Sequence, residues 1–194
     1  MYEAFYQFIQ QLLPHFQIDR TRLEPLLTVK AISKGGFLLQ AGDVWQVIGF
    51  TVKGCFRTVF IKDGKEFTLF FNVENRLMGD YESYRKQAPS QFSYQAIEDS
   101  EVILLSDRVL DLLFEENPQG QRLARLIAES YVFSLREKLL TLFTSTPEER
   151  YLHLADHEPE LLQRLPQYAW AAYLGIEPES LSRLKRRLYQ RRIS

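Results

Sequence analysis

The stretch Tyr168-Ala169-Trp170-Ala171-Ala172-Tyr173-Leu174-Gly175-Ile176-Glu177-Pro178-Glu179-Ser180-Leu181-Ser182-Arg183-Leu184-Lys185-Arg186-Arg187-Leu188-Tyr189 decides how the chain is read. Ala169, Ala171 and Ala172 are small, so a second helix can approach closely. Gly175 supplies a turn. Beyond it, Leu181, Leu184 and Leu188 recur at helical spacing and are predicted to point inward, with Ser182, Arg183, Lys185, Arg186 and Arg187 largely outward. This is a helix-turn-helix pattern. A helix fits the DNA major groove, where residues of its first turns reach base edges and basic residues hold phosphates. Glu179 can accept from a cytosine amino group and Arg183 can clasp a guanine through two bonds. Four residues apart, they share one face.

Charge sharpens that reading. From Arg164 to Ser194 there are seven basic residues against the acids Glu177 and Glu179, a net +5, which leaves −6 on the rest of a chain whose total is −1. A basic end on an acidic body points to a polyanion held by the C-terminal region alone. The whole chain has 194 residues, 45% apolar and 25% charged, a balance that excludes disorder, a coiled-coil rod and a collagen-like fibre. No uncharged apolar run approaches the ~20 residues of a membrane span, and the opening Met1-Tyr2-Glu3-Ala4-Phe5 does not read as a signal peptide. A cytoplasmic location is therefore expected. The single cysteine, Cys55, excludes an intrachain disulfide and a Cys-only zinc or iron–sulfur centre; it reads as a small hydrophobe in a strand.

Toward the N-terminus the hydrophobic period changes. Phe5, Phe8, Ile9, Leu12 and Leu13 predict a helix before Pro14, and a cap at Asp19 or at Thr21, with Glu24 completing a box, predicts a second short helix through Leu27. From Thr28 to about Ser106 the alternation is two. Strand-like runs are Leu38-Leu39, Trp45 to Phe50, Cys55 to Ile61, Phe67 to Phe71, Ser93 to Ile97 and Val102 to Leu105, separated by turn signals of which Asp63-Gly64 is the strongest. An antiparallel sandwich or barrel follows. Residues 79–87 interrupt it as a polar segment that can be helical. After Ser106 the chain reads as helical: a short helix from about Asp107 to Glu115, then a long one from about Pro118 to Thr144 with Pro118 in its first turn. Its stripe of Leu123, Leu126, Ile127, Tyr131, Val132, Leu135, Leu139 and Leu142 needs a partner, which we read as a second copy of the chain. A helix packed wholly within its own chain is the alternative.

In order along the chain, Ala41-Gly42-Asp43, Phe50-Thr51-Val52-Lys53-Gly54-Cys55-Phe56-Arg57, Asp63-Gly64-Lys65-Glu66, Ala96-Ile97-Glu98-Asp99-Ser100-Glu101-Val102 and the helix-turn-helix motif resemble a Crp/Fnr-type transcription regulator. The resemblance covers nearly the whole chain. It implies an α+β fold: a cyclic-nucleotide-binding-like, antiparallel, jelly-roll-like β-roll over residues 1–116, a dimerisation helix over 117–144 and a helix-turn-helix domain over 145–194. It also implies double-stranded DNA, a second copy and RNA polymerase as partners. Glu179, Ser182 and Arg183 match the base-reading triplet of the Fnr-like branch, with Ser180, Lys185, Arg186 and Arg187 beside them. The family's wing hairpin would lie beyond the recognition helix. Here the sequence given stops at Ser194, so a reduced or absent wing is expected, with Arg186, Arg187, Arg191 and Arg192 supplying backbone contacts instead.

The ligand side of the resemblance is imperfect. The family's phosphate-binding cassette maps to Gly79-Asp80, a helical Tyr81 to Gln87, and Ser90-Gln91-Phe92-Ser93, which puts Ser90 where the phosphate-clamping arginine would stand. The polar pair that the family offers from the long helix falls on Leu135 and Arg136. Gly79, Asp80, Ser90, Gln91 and Arg136 are thus a candidate pocket, but one without the charge-assisted fork that a phosphodiester needs. No cofactor and no cAMP response are expected. Four-cysteine oxygen sensing is excluded, and His153 and His157, four apart, are expected to be solvated or capping rather than metal ligands. Asp80 and Glu82, two apart on a helix, point in different directions and do not form an acid–base pair, so no enzyme is expected. The rival reading is a ligand-binding or interaction module whose helix-turn-helix has lost DNA binding.

Overall fold

A computed structural model describes residues 2–193, without the side chains of Tyr189, Arg191, Arg192 and Ile193. The phosphate contacts expected of Arg191 and Arg192 lie outside the described residues. Helix α1 (Glu3–Leu12) forms as its apolar spacing predicts, burying Phe5, Tyr6 and Ile9. For α2 (Arg20–Leu23) the cap is Asp19, whose side chain accepts from the Arg22 backbone N–H; the Thr21 box does not form, and Pro25 turns the continuation, Glu24–Leu26, into a 3₁₀ turn.

Among the described residues, eight strands make two antiparallel four-stranded sheets. One is ordered β1 (Thr28–Ile32), β8 (Ser100–Leu105), β3 (Ile48–Lys53), β6 (Leu77–Met78); the other β2 (Phe37–Leu39), β7 (Phe92–Ala96), β4 (Phe56–Lys62), β5 (Lys65–Asn72). The alternation of β8 shows how the layers are built. Val102 enters the cluster between the sheets with Trp45, Phe56, Met78 and Tyr94, while Ile103 and Leu105 face outward onto Phe5, Tyr6 and Ile9 of α1. Asp63 and Gly64 both have positive φ, 52° and 76°, as a tight hairpin between Lys62 and Lys65 requires.

Some strands are displaced from their expected positions. The expected Trp45 to Phe50 run becomes β3 starting at Ile48, because the Trp45 backbone N–H donates to Ser83 Oγ (2.9 Å) instead of a ladder partner. Cys55 likewise precedes β4, its N–H donating to Ser100 Oγ at 3.2 Å. Strands β1 and β6 were not among the runs read from the sequence.

The polar interruption is helix α3 (Tyr81–Lys86), capped by Asp80. Helix α4 (Asp107–Leu110) runs into a π turn, Asp111–Glu115. The long helix α5 (Gly120–Thr144) starts two residues later than Pro118 suggested. Asn117 sets the start: its Oδ1 and its carbonyl accept the N–H groups of Gln119 and Gly120, both at 2.9 Å. Then come α6 (Pro147–His157) with a complete Thr146/Glu149 capping box, α7 (Pro159–Arg164), α8 (Gln167–Leu174) and α9 (Pro178–Ile193). Among the described residues no strand follows β8, so a wing hairpin is not among them.

Candidate nucleic-acid interface

Helix α8 ends at Gly175, whose left-handed φ of 71° turns the chain, and the Ile176 N–H bonds back to Ala171 O at 3.0 Å. Pro178 opens α9, where the Ser180 and Leu181 N–H groups bond the Glu177 carbonyl. Leu181 and Leu184 are buried against Trp170, Ala171 and Leu174, with Leu188 packed beside them. That apolar row fixes the helix rotation and turns Glu179, Ser182, Arg183, Arg186 and Arg187 to the exposed side, with Ser180 and Lys185 half-buried.

The exposed row is largely uncommitted. Among the described residues Glu179 and Arg186 make no ion pair, and Arg183 only reaches Ser180 Oγ, at 3.0 Å. Three residues of α9 are engaged elsewhere, Ser182 among them through Gln167. Arg187 ion-pairs with Glu148 in the first turn of α6, so a phosphate would have to displace that carboxylate. The Lys185 ammonium stands 5.8 Å over the Tyr151 ring. Gln167, which sequence reading passed over, ties the start of α8 to α9: its amide donates to Ser182 Oγ and to Pro178 O at 3.3 Å. Its signal was positional only, at the first turn of the leading helix.

The helix-turn-helix is joined to the β-roll. Phe71 of β5 meets Trp170 and Tyr173 with ring centres 5.3 and 5.1 Å apart. Cys55 and Ile97 enter the same apolar cluster, and burial pushes the Cys55 thiol up to about 12, so it stays protonated. Arg164 at the end of α7 bonds Glu74 and Glu98, and Lys65 pairs with Glu177 at 2.7 Å. The buried Arg57 holds Gln95 Oε1 at 2.7 and 2.9 Å and lies 5.1 Å under the Tyr168 ring.

Of the candidate pocket residues, Gly79, Asp80 and Ser90 lie together, while Gln91 and Arg136 are exposed and make no hydrogen bond to them among the described residues. Gly79 lies against Trp45, where a Cβ would come within 2.7 Å of Nε1. Asp80 caps α3 through Ser83 N–H (3.1 Å) and accepts from Ser90 Oγ at 2.7 Å. Ser90 is buried and also accepts the Phe92 N–H at 3.0 Å, so the proton of the hydroxyl at the arginine position is already committed. Gln91 is exposed. Arg136 is exposed on α5 and makes no hydrogen bond or ion pair among the described residues. His153 and His157 stack at 4.1 Å, both exposed, and no group of three metal-ligating residues occurs among the described residues.

Several solved structures share this arrangement. FixK2 from Bradyrhizobium japonicum is 17% identical with a TM-score of 0.70, covering 85% of each chain. The c-di-GMP-responsive global regulator CLP of Xanthomonas campestris is 17% identical with a TM-score of 0.67, covering 88% of this chain and 90% of that one. The chain shares their fold. The catabolite activator protein of Thermus thermophilus is also similar, at 22% identity and a TM-score of 0.55, over 93% of this chain and 87% of that one. No family model matches the chain, and no curated protein sequence does. Among the described residues no helix is long and apolar enough to cross a membrane.

Proposed function

We propose that the chain is a non-catalytic, sequence-specific double-stranded-DNA-binding transcription regulator of the Crp/Fnr type, acting as a cytoplasmic homodimer without a cAMP requirement. The observation that carries this reading is the exposed row Glu179, Ser182 and Arg183, held on one side of α9 by its buried leucines. Glu179 and Arg183 offer an acceptor for cytosine and a fork for guanine, with Ser180, Lys185, Arg186 and Arg187 directed at phosphates. Two such helices would read half-sites about 34 Å apart. RNA polymerase is the protein partner that such a role requires.

The second copy is supported by α5, where Val132, Leu139 and Phe143 are 57%, 53% and 85% exposed on one side of the helix. Independence from cAMP is supported by Ser90: a buried hydroxyl already bonded to Asp80 and Phe92 gives a cyclic phosphate no guanidinium fork. Gly79, Asp80, Gln91 and Arg136 then line a vestigial site or one for a different effector.

Selection of bound sequences from random double-stranded DNA, without ligand and then with cAMP, tests the proposal. An enriched palindrome in the ligand-free arm is expected. Enrichment only with cAMP would overturn the argument from Ser90, and none in either arm would favour the interaction-module reading.

A further inference from the structure

Three turns of the β-roll converge at one end. The β3–β4 turn brings Gly54, the β5–β6 connection brings Glu74 and the β7–β8 turn brings Glu98. They are in close contact, since a Cβ on Gly54 would fall 2.2 Å from Ser100 Oγ. The Gly54 N–H donates to Glu74 Oε1 at 2.9 Å, which ties that carboxylate to the β3–β4 turn. Arg164 fills the notch between the acids. Its Nη1 and Nη2 donate to Glu74 at 3.0 and 2.8 Å, its Nε donates to Glu98 Oε1 at 3.1 Å, and Nη2 is shared with Glu98 as well. The three side chains are each about one-third exposed, so the network stands at the rim of the apolar contact. Burial alone would push the Glu74 carboxyl up, but the bonds from Arg164 and Gly54 outweigh it and leave the group below its ordinary value.

This arrangement restricts direction in a way that the apolar contact beside it does not. Phe71 against Trp170 and Tyr173 is a hydrophobic surface, which tolerates sliding and rotation. A planar guanidinium bonded to two carboxylates fixes both distance and angle. Arg164 lies three residues before Gln167, the first residue of α8, so the angle that it sets is passed to the reading helix. With the domain seated in this way Glu179, Ser182 and Arg183 remain exposed, which makes the contact compatible with groove entry.

We propose that Arg164 is a positioning residue for DNA recognition: by gripping Glu74 and Glu98 it fixes the orientation of α8 and α9 on the β-roll and so sets the half-site spacing that the dimer reads. The inference rests on the DNA-binding reading above. One base pair of extra spacing moves a half-site by ~3.4 Å along the axis, and two-site binding is lost when geometry forbids simultaneous engagement. A rigid grip therefore gives a sharp spacing preference and a loose one a flat preference.

The test uses the full chain and its selected palindrome, with the spacer lengthened or shortened by one and two base pairs, plus a duplex carrying one half-site. Wild type should prefer its native spacing by on the order of 100-fold, the scale of a lost second contact. R164Q should reduce that preference below about tenfold, yet leave single half-site affinity within about twofold. R164K, which keeps the charge without the fork, should behave like R164Q, and E74Q combined with E98Q should reproduce both. An unchanged spacing profile in R164Q overturns the proposal, as does equal loss on the half-site and the palindrome. If wild type selects no sequence, the DNA-binding reading fails on its own account and the grip is judged without DNA. Spin labels at K34C and Q163C, on a chain diluted into unlabelled chain, should give a narrow distance distribution in wild type and a broad one in R164Q. A distribution equally narrow in R164Q overturns the proposal. Cys55 is fully buried and does not label.

Discussion

Arg183 and Arg187 are both exposed on α9, but they are prepared for different work. Arg183 touches only the hydroxyl of Ser180, whereas Arg187 is already held by Glu148. A guanidinium with so little to give up can be transferred to a base edge at small cost, and one in an ion pair must exchange partners. Arg183→Ala should therefore relax discrimination at a single guanine by ~1–3 kcal/mol, leaving the other positions of the operator as they were. Competition with operators substituted one base pair at a time measures this. Uniform weakening across all of them would assign Arg183 to phosphate instead. At this scale the sequence was informative where the cause is local: the leucine spacing alone placed Leu181 and Leu184 inward, and both are buried. It was silent on the contacts that Gln167, Glu148 and Arg164 make. Their partners are 15, 39 and 66 or 90 residues away, so no short-range pattern announces them.

Among the elements, α5 carries the most unusual surface. Leu123 is buried, and Leu126 and Ile127 lie against the cluster around α1, but Val132, Phe133, Leu139, Leu140, Leu142 and Phe143 are exposed. Val132, Leu139 and Phe143 are spaced by seven and four, which keeps them on one side over three turns. A stripe of that width is more than an isolated helix retains in water. If α5 is the seam of the proposed dimer, Leu139→Glu should leave a monomer where wild type is a dimer, read by sedimentation equilibrium, while the β-roll's thermal unfolding stays close to that of wild type. A variant that remains dimeric would place the seam elsewhere. The helix was legible because its stripe is long, but its first residue was not. Pro118 is a common opener, yet Gly120 is where the backbone closes onto the π turn: a Cβ there would lie 2.3 Å from Phe114 O. The two-residue strand β6 was illegible for the same reason of length, since Leu77-Met78 is too short for any alternation.

For the molecule as a whole, Lys138 is the point where three parts meet. Projecting from α5, its ammonium lies 3.7 Å over the ring of Tyr173 on α8 and 5.0 Å over that of Phe70 on β5. Burial lowers it from 10.5 to about 7, and the charge of Arg150 on α6 adds to the effect. In the unfolded chain the lysine titrates at its ordinary value. Between about pH 7 and 10.5 the unfolded state thus binds more protons, and this group makes stability rise with pH; below 7 both states are charged and it contributes no slope. Lys138→Met should accordingly raise Tm at pH 6 and have a smaller effect at pH 9, by thermal denaturation across that range. A larger gain at pH 9 would show that the cation–ring contacts outweigh burial.

The apolar cluster beneath the helix-turn-helix has a consequence for how the chain tolerates damage. Leu161, Leu165, Trp170, Leu174, Leu181 and Leu184 come from the C-terminal region, but Cys55 and Ile97 come from the β-roll. The β-roll and the C-terminal helices therefore share a cooperative unit: opening either one bares hydrophobic surface on the other. A change that loosens the β-roll at Cys55 or Ile97 also removes apolar cover from α8 and α9. Allele by allele, loss of stability in one part will be hard to separate genetically from loss of whatever the other part does. A fragment beginning at residue 145 would carry only its own share of that cluster into solution.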